Sequence, residues 1–198
     1  MKITAKMVGD LRSRTGAGMM DCKKALTETN GDVDLAIQLL REKGLKASEL
    51  KSSRKASEGT VTSYIHPGSR VGVLVEINCE TDFVARTDEF QELAKNIAMQ
   101  IAASKPKYLD RESVPADVVE SEKSILKQQD DIQGKPEQII EKIVEGRIDK
   151  FFAEVCLIEQ SYIKDNDKTI AEIVKEAVAK LGENIVINRF SLFVLGQT

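Results

Sequence analysis

The sequence predicts an α+β protein, in which a small N-terminal unit of three helices precedes a core built from a small antiparallel sheet packed by helices. Three observations predict it. The first fifty residues carry three short apolar stripes at helical spacing, separated by Gly16-Ala-Gly18 and Asn30-Gly31. Residues 60–79 hold two runs of alternating hydrophobicity around Pro67-Gly-Ser-Arg70, the pattern of a hairpin. Near the C-terminus the clearest amphipathic helix is followed by a β-type run, Asn184–Leu195, expected to pair with that hairpin.

Each element has a local cause. Thr4 can cap a first helix carrying Met7, Val8 and Leu11, which ends near Thr15. A second helix runs from Met19 to about Thr29, where Asn30-Gly31 suits a left-handed cap. Asp32 caps a third, with Val33, Ala36, Ile37 and Leu40 on one stripe and an expected end at Gly44. Lys51–Glu58 is polar and aperiodic, so it reads as a linker between a domain over 1–50 and a core over 59–198. After the hairpin, Phe90, Leu93, Ile97 and Ile101 predict a helix over 87–104. Pro115, with Ser113 as a candidate N-cap, opens a weakly apolar helix, and the stretch 106–134 reads as a helical excursion that protrudes. Gly134 and Pro136 restart a helix through Val155, in which Gly146 is expected to permit close packing or a bend. Thr169-Ile-Ala-Glu172 has the capping-box pattern and starts the last helix, which Gly182 ends.

Composition narrows the function. At 198 residues, with 31% charged and 41% hydrophobic, the chain has the make-up of a globular protein with a sizeable core. Residues 1–58 hold 12 Lys/Arg against 8 Asp/Glu, a balance of +4, and residues 59–198 hold 17 against 24, or −7. Neither balance makes the concentrated basic face that nucleic acid requires. No run is apolar enough to span a membrane, and Met1–Lys6 lacks a signal-peptide core. Cys22, Cys79 and Cys156 are too few and too scattered for a disulfide framework or a zinc ribbon. A reduced, cytoplasmic setting is expected, with no metal and no cofactor.

The most informative stretch is Glu80-Thr81-Asp82-Phe83-Val84-Ala85-Arg86, between a strand pattern and a helix pattern. Thr81 or Asp82 can cap the helix that follows. Phe83 then stands in the first helical turn beside a carboxylate, as a core or staple residue or as part of a protein-binding edge. Met19 and Met20 divide the same way, between core filling and an adaptable contact. Gly16–Lys24 matches no phosphate-loop spacing and follows no strand. His66 is the single histidine and stands at a strand end without metal-binding company. Glu80 and Asp82 could face one way as a carboxylate pair, yet no base, nucleophile or metal cluster accompanies them, so enzyme chemistry is not expected.

Two runs carry a resemblance. Leu11-Arg-Ser-Arg-Thr-Gly-Ala-Gly-Met-Met-Asp-Cys-Lys-Lys-Ala-Leu26 with Asn30-Gly-Asp32, and Val71–Ala85 with its Thr-Asp-Phe-Val core, resemble the elongation factor Ts (EF-Ts) family. Gly134-Lys-Pro136, Glu141–Arg147 and Gly182–Val186 extend the likeness over nearly the whole chain. The resemblance implies a ubiquitin-associated-type (UBA-like) N-terminal domain and guanine-nucleotide exchange on elongation factor Tu (EF-Tu), without bond-making chemistry. It implies that Thr81, Asp82, Phe83 and Val84 form the wedge that enters the EF-Tu nucleotide domain near its magnesium site. Arg12, Met19 and Met20 match the docking surface of the N-terminal domain, and Cys22 reads as a small buried thiol. The single core copy resembles short family members, which implies a homodimer serving two EF-Tu molecules. Short forms with a terminal-strand cysteine differ here, where Phe190-Ser-Leu-Phe193 leaves apolar packing to hold the dimer. The competing reading is an adaptor or chaperone module that grips another client through the three-helix domain.

Overall fold

The computed structural model of the chain describes residues 3–197, so the outermost positions of the expected 1–50 and 59–198 segments lie outside it. Helix α1 (Ala5–Thr15) starts where the Thr4 hydroxyl accepts from the Met7 N–H at 3.3 Å. It ends where the Gly16 N–H reaches the Arg12 carbonyl at 2.7 Å. Helix α2 (Met19–Glu28) is closed by Asn30 and Gly31, both at positive φ. Helix α3 (Val33–Lys51) starts on the Asp32 carboxylate, which accepts from the N–H groups of Asp34 and Leu35 at 3.0 Å. The three helices enclose one cluster, formed by Val8, Leu11, Cys22, Ala25, Leu26 and Ala36.

Strands β1 (Glu58–Ile65) and β2 (Val71–Cys79) form the expected hairpin, closed by the His66 N–H on the Val71 carbonyl at 2.9 Å. Gly59 has φ +142°, and a Cβ there would overlap the Ile77 carbonyl and come within 2.7 Å of the Asn78 Cα. Only glycine lets the strands approach so closely at that point. After β2 come α4 (Asp82–Ala85) and α5 (Asp88–Ser104). The chain continues through α6 (Ala116–Lys127), a 3-10 turn (Asp130–Ile132) and α7 (Glu137–Val155). Two short strands, β3 (Ser161–Tyr162) and β4 (Asp165–Thr169), pair antiparallel before α8 (Ile170–Leu181) and β5 (Val186–Val194). The main sheet is small and antiparallel, in the order β1-β2-β5, so the α+β class stands and the last strand joins the first hairpin as expected.

The chain divides into two compact units. One comprises the chain up to Val61 with Glu76–Ala94 and Glu172–Asn188, and the other comprises Thr62–Val75, Lys95–Ala171 and the chain from Arg189. In the first unit α3 runs through Gly44 instead of stopping there. A Cβ at Gly44 would lie 3.1 Å from the Ala179 Cβ of α8, so the glycine marks a close helix crossing. Arg41 adds an ion pair to Glu172 at 3.3 Å.

In the second unit the helical excursion has a core of its own. Val114, Leu126 and Ile132 are buried with Val144, Ile148 and Phe152 of α7, so α6 packs on α7 and is no bare protrusion. Ser113 does not cap α6. Its N–H and hydroxyl both donate to the Asp110 carboxylate, at 2.8 and 2.6 Å, and Pro115 precedes the first turn. A Cβ at Gly146 would meet nothing within 4 Å, so that residue serves no close contact.

The polar β3–β4 hairpin was not expected. It is organised by Gln100, a fully buried polar side chain whose amide donates to the Gln160 side chain (3.2 Å) and the Ser161 carbonyl (3.1 Å). Gln100 also accepts from the Ile163 N–H at 2.9 Å. Satisfied on both sides, a buried amide costs little and fixes one arrangement.

Candidate functional site

The Thr81–Arg86 turn belongs to the first unit, and its form follows from its neighbours in sequence. Alternation along β2 buries Val73, Val75, Ile77 and Cys79, and the strand ends at Cys79. Of the two candidate caps, Thr81 is the one used. Its backbone is extended (φ −129°, ψ 154°) and its hydroxyl accepts from the Val84 N–H at 3.4 Å. The one-turn helix α4 points Ala85 inward and Phe83 outward. Phe83 is 80% exposed, whereas Phe90, seven residues on, is fully buried. Burial would be the ordinary fate of such a ring. The staple reading therefore fails, and an aromatic is presented to solvent. Val84 is half-buried beside it, and Asp82 forms an exposed ion pair with Arg86 at 2.8 Å.

A one-turn helix is marginal alone, and this one is held by residues about a hundred positions away. Glu183, just after α8, receives the N–H groups of Glu80 and Thr81 on one carboxylate oxygen, at 3.1 and 3.0 Å. Its other oxygen receives the Thr81 hydroxyl at 2.6 Å. In return, the Glu80 carboxylate accepts from the Asn184 N–H at 2.7 Å and lies 3.5 Å from the Arg54 guanidinium. The Asn184 amide donates to the carbonyls of Ser52 and Arg54 at 3.3 and 2.8 Å. At the far end the Gln91 amide donates to the Ala85 carbonyl at 2.7 Å, and Thr87 caps α5 through the Phe90 N–H at 3.3 Å. Hydrogen bonds to a charged acceptor contribute about 1.5–3 kcal/mol each when sheltered from water. Sequence reasoning missed Glu183, Asn184 and Arg54 as parts of this region. Gly182–Val186 was visible only as a matching run, with nothing to say what it touches.

Glu80 is thus committed to structural hydrogen bonds, and Asp82 points to Arg86 instead of pairing with it. Each carboxylate of that candidate pair is engaged with a different partner. The Cys79 thiol donates to the Thr81 carbonyl at 3.1 Å, and burial, with the Glu183 charge adding to it, pushes that thiol up from its ordinary value. Cys156 is likewise pushed up, to about 11, chiefly by burial. All three cysteines are buried and free, Cys22 among them as expected. His66 stands at the strand end against the Tyr64 hydroxyl, 3.2 Å away.

The other three named residues lie on the helices of the same unit. Arg12 is exposed in the last turn of α1, and Met19 and Met20 open α2 at 49% and 62% exposure. The α1–α2 turn between them lies against α8. A Cβ on Gly16 would meet the Lys180 side chain at 3.2 Å, and Lys180 in turn pairs with Glu89 of α5 at 3.7 Å. Helix α8 therefore touches the turn that precedes the methionines and leads through Gly182 into Glu183, which holds the turn that carries Phe83. Among the described residues no group of His, Cys, Asp or Glu could hold a metal ion. Nor is any helix among the described residues long and apolar enough to cross a membrane.

Comparison with known proteins matches the sequence to one family. A family model described as elongation factor TS matches residues 23–197. The proteins named elongation factor Ts of Syntrophomonas wolfei and Geobacter sulfurreducens are 61% and 57% identical, over 98% and 100% of this chain and 91% of each relative. That of Herpetosiphon aurantiacus is 57% identical over the full length of both chains. These alignments also cover the N-terminal residues that the family model leaves out.

Proposed function

The chain belongs to the elongation factor Ts family, and on that premise we propose that it is a guanine-nucleotide exchange factor for EF-Tu in translation elongation. It acts by binding and makes no bonds of its own. The observation that carries the reading is Phe83, an aromatic 80% exposed on a turn that distant residues hold in place. In this reading the ring enters between helices of the EF-Tu nucleotide domain. Thr81, Asp82 and Val84 border it, and the displaced helices disturb the magnesium and phosphate contacts of bound GDP. Packed helices shift as units, so a local wedge reaches the nucleotide. Reciprocity follows: if this chain weakens GDP binding, GDP weakens its binding by the same factor, and GTP entry then releases it.

Arg12, Met19 and Met20 form the docking surface of the UBA-like domain over 1–50, where flexible thioethers adapt to a partner groove. The site of action is the cytoplasm, with no nucleic acid and no membrane involved. The functional form is a homodimer serving two EF-Tu molecules. Exposed Ile65, Leu74 and Phe193, one on each strand of the main sheet, supply apolar surface for it.

Release of a fluorescent GDP analogue from EF-Tu, timed with and without this protein, tests the reading. Acceleration by micromolar protein is expected, and no acceleration sinks it. Phe83→Ala should slow the accelerated release by about 30-fold, as expected for a central aromatic anchor.

A further inference from the structure

We infer that Glu183 is a positioning residue for exchange: its carboxylate orients the Thr81 hydroxyl and so sets how Phe83 leaves the surface. This rests on the exchange reading above and goes beyond it, because Glu183 itself need not meet the partner. Inside the turn the bond from the Val84 N–H to the Thr81 hydroxyl is long, at 3.4 Å. The front of the turn is instead fixed by three hydrogen bonds to Glu183, the shortest at 2.6 Å from the Thr81 hydroxyl.

That short bond decides the capping geometry. A hydroxyl has one proton. With the proton committed to Glu183, the oxygen of Thr81 presents its lone pairs to the Val84 N–H, the bond that starts α4. The Glu80 carboxylate accepting from the Asn184 N–H at 2.7 Å closes the clasp from the other side, so neither segment turns without the other. Phe83 follows Thr81 by two residues and is 80% exposed, so the direction in which its Cα–Cβ bond leaves the surface is set by the backbone of the turn. A wedge needs that direction fixed before contact, because ordering it afterwards costs binding free energy.

Glu183→Gln keeps the volume and one acceptor but turns an NH2 toward the Thr81 hydroxyl, which removes the hydroxyl's acceptor. The rate of GDP release at saturating factor, and the factor concentration at half-saturation, are measured for wild type, Glu183→Gln, Phe83→Ala and the double variant. Glu183→Gln is expected to lower the saturated rate about tenfold while shifting half-saturation by no more than about twofold. In the Phe83→Ala background it should change nothing, because the group it positions is gone. An equal loss in both backgrounds, or a wild-type rate from Glu183→Gln, overturns the inference. If Phe83→Ala slows exchange and Glu183→Gln does not, the inference fails alone. If Phe83→Ala exchanges like wild type, the wedge reading itself fails. Should Glu183→Gln not fold, Thr81→Val removes the same hydroxyl with little change of shape, and the same dependence on Phe83 decides.

Discussion

Phe83 and the Met19-Met20 pair both offer apolar side chains to solvent, and they are held in opposite ways. The Phe83 turn is short but tied to Glu183 and Asn184 by hydrogen bonds that reach across the sequence, and to nearby Gln91 at its far end. The methionines open a ten-residue helix at Gly18, which has no side chain to cap it, and each has several rotatable bonds. That difference fits two separate roles in binding a partner. A rigid ring suits forced entry into a packed partner, while flexible thioethers suit adhesion to a surface that changes shape. The expectation is that the first governs the rate of GDP release and the second governs affinity.

The largest effect expected from breaking this contrast comes from behind the turn. Gly59→Ala forces a Cβ into the backbone of β2 two to three residues before Glu80. It should lower stability by about 3 kcal/mol, read as a fall in the denaturant midpoint. An unchanged midpoint would mean that the strand pair yields easily, and the turn could not then owe its rigidity to the sheet. Next, Phe83→Ala at about 2 kcal/mol of lost transition-state stabilisation should leave circular dichroism and melting temperature close to wild type, since the ring is exposed.

Met20→Ala should be milder, about 1 kcal/mol, and should raise the half-saturating concentration with little change in the saturated rate. If it instead lowers the saturated rate as Phe83→Ala does, the division between wedge and docking surface is wrong. The smallest effect belongs to Arg86→Ala. Its ion pair with Asp82 is exposed, so thermal denaturation should register a change within about 0.5 kcal/mol. A larger loss would place the rigidity of the turn in that local pair and not in the Glu183 clasp.

Much of this fold could be read along the chain because its causes are local. Thr4 and Asp32 cap the helices they precede, and the alternation of β2 buries Val73, Val75, Ile77 and Cys79. The Thr-Asp-Phe-Val stretch was placed correctly at a strand-to-helix junction for the same reason. Where local and long-range causes competed, the local reading lost. Gly44 has the chemistry of a helix stop, yet packing against Ala179 carries α3 on to Lys51. Asp165-Asn-Asp-Lys-Thr169 has loop composition, yet lies in a strand next to the hairpin segment that Gln100 gathers.

The α+β class, most element boundaries and the motif that follows β2 were therefore legible along the chain, because caps, alternation and helical periodicity act over a few residues. That Phe83 faces solvent follows from the folded chain alone. The fold also decides that Glu80 binds Asn184 and that Glu183 binds the Thr81 turn from 102 residues away. Those outcomes depend on which surfaces are already filled and on where a distant carboxylate finds unpaired N–H groups. Neither is a property of any short stretch of the chain.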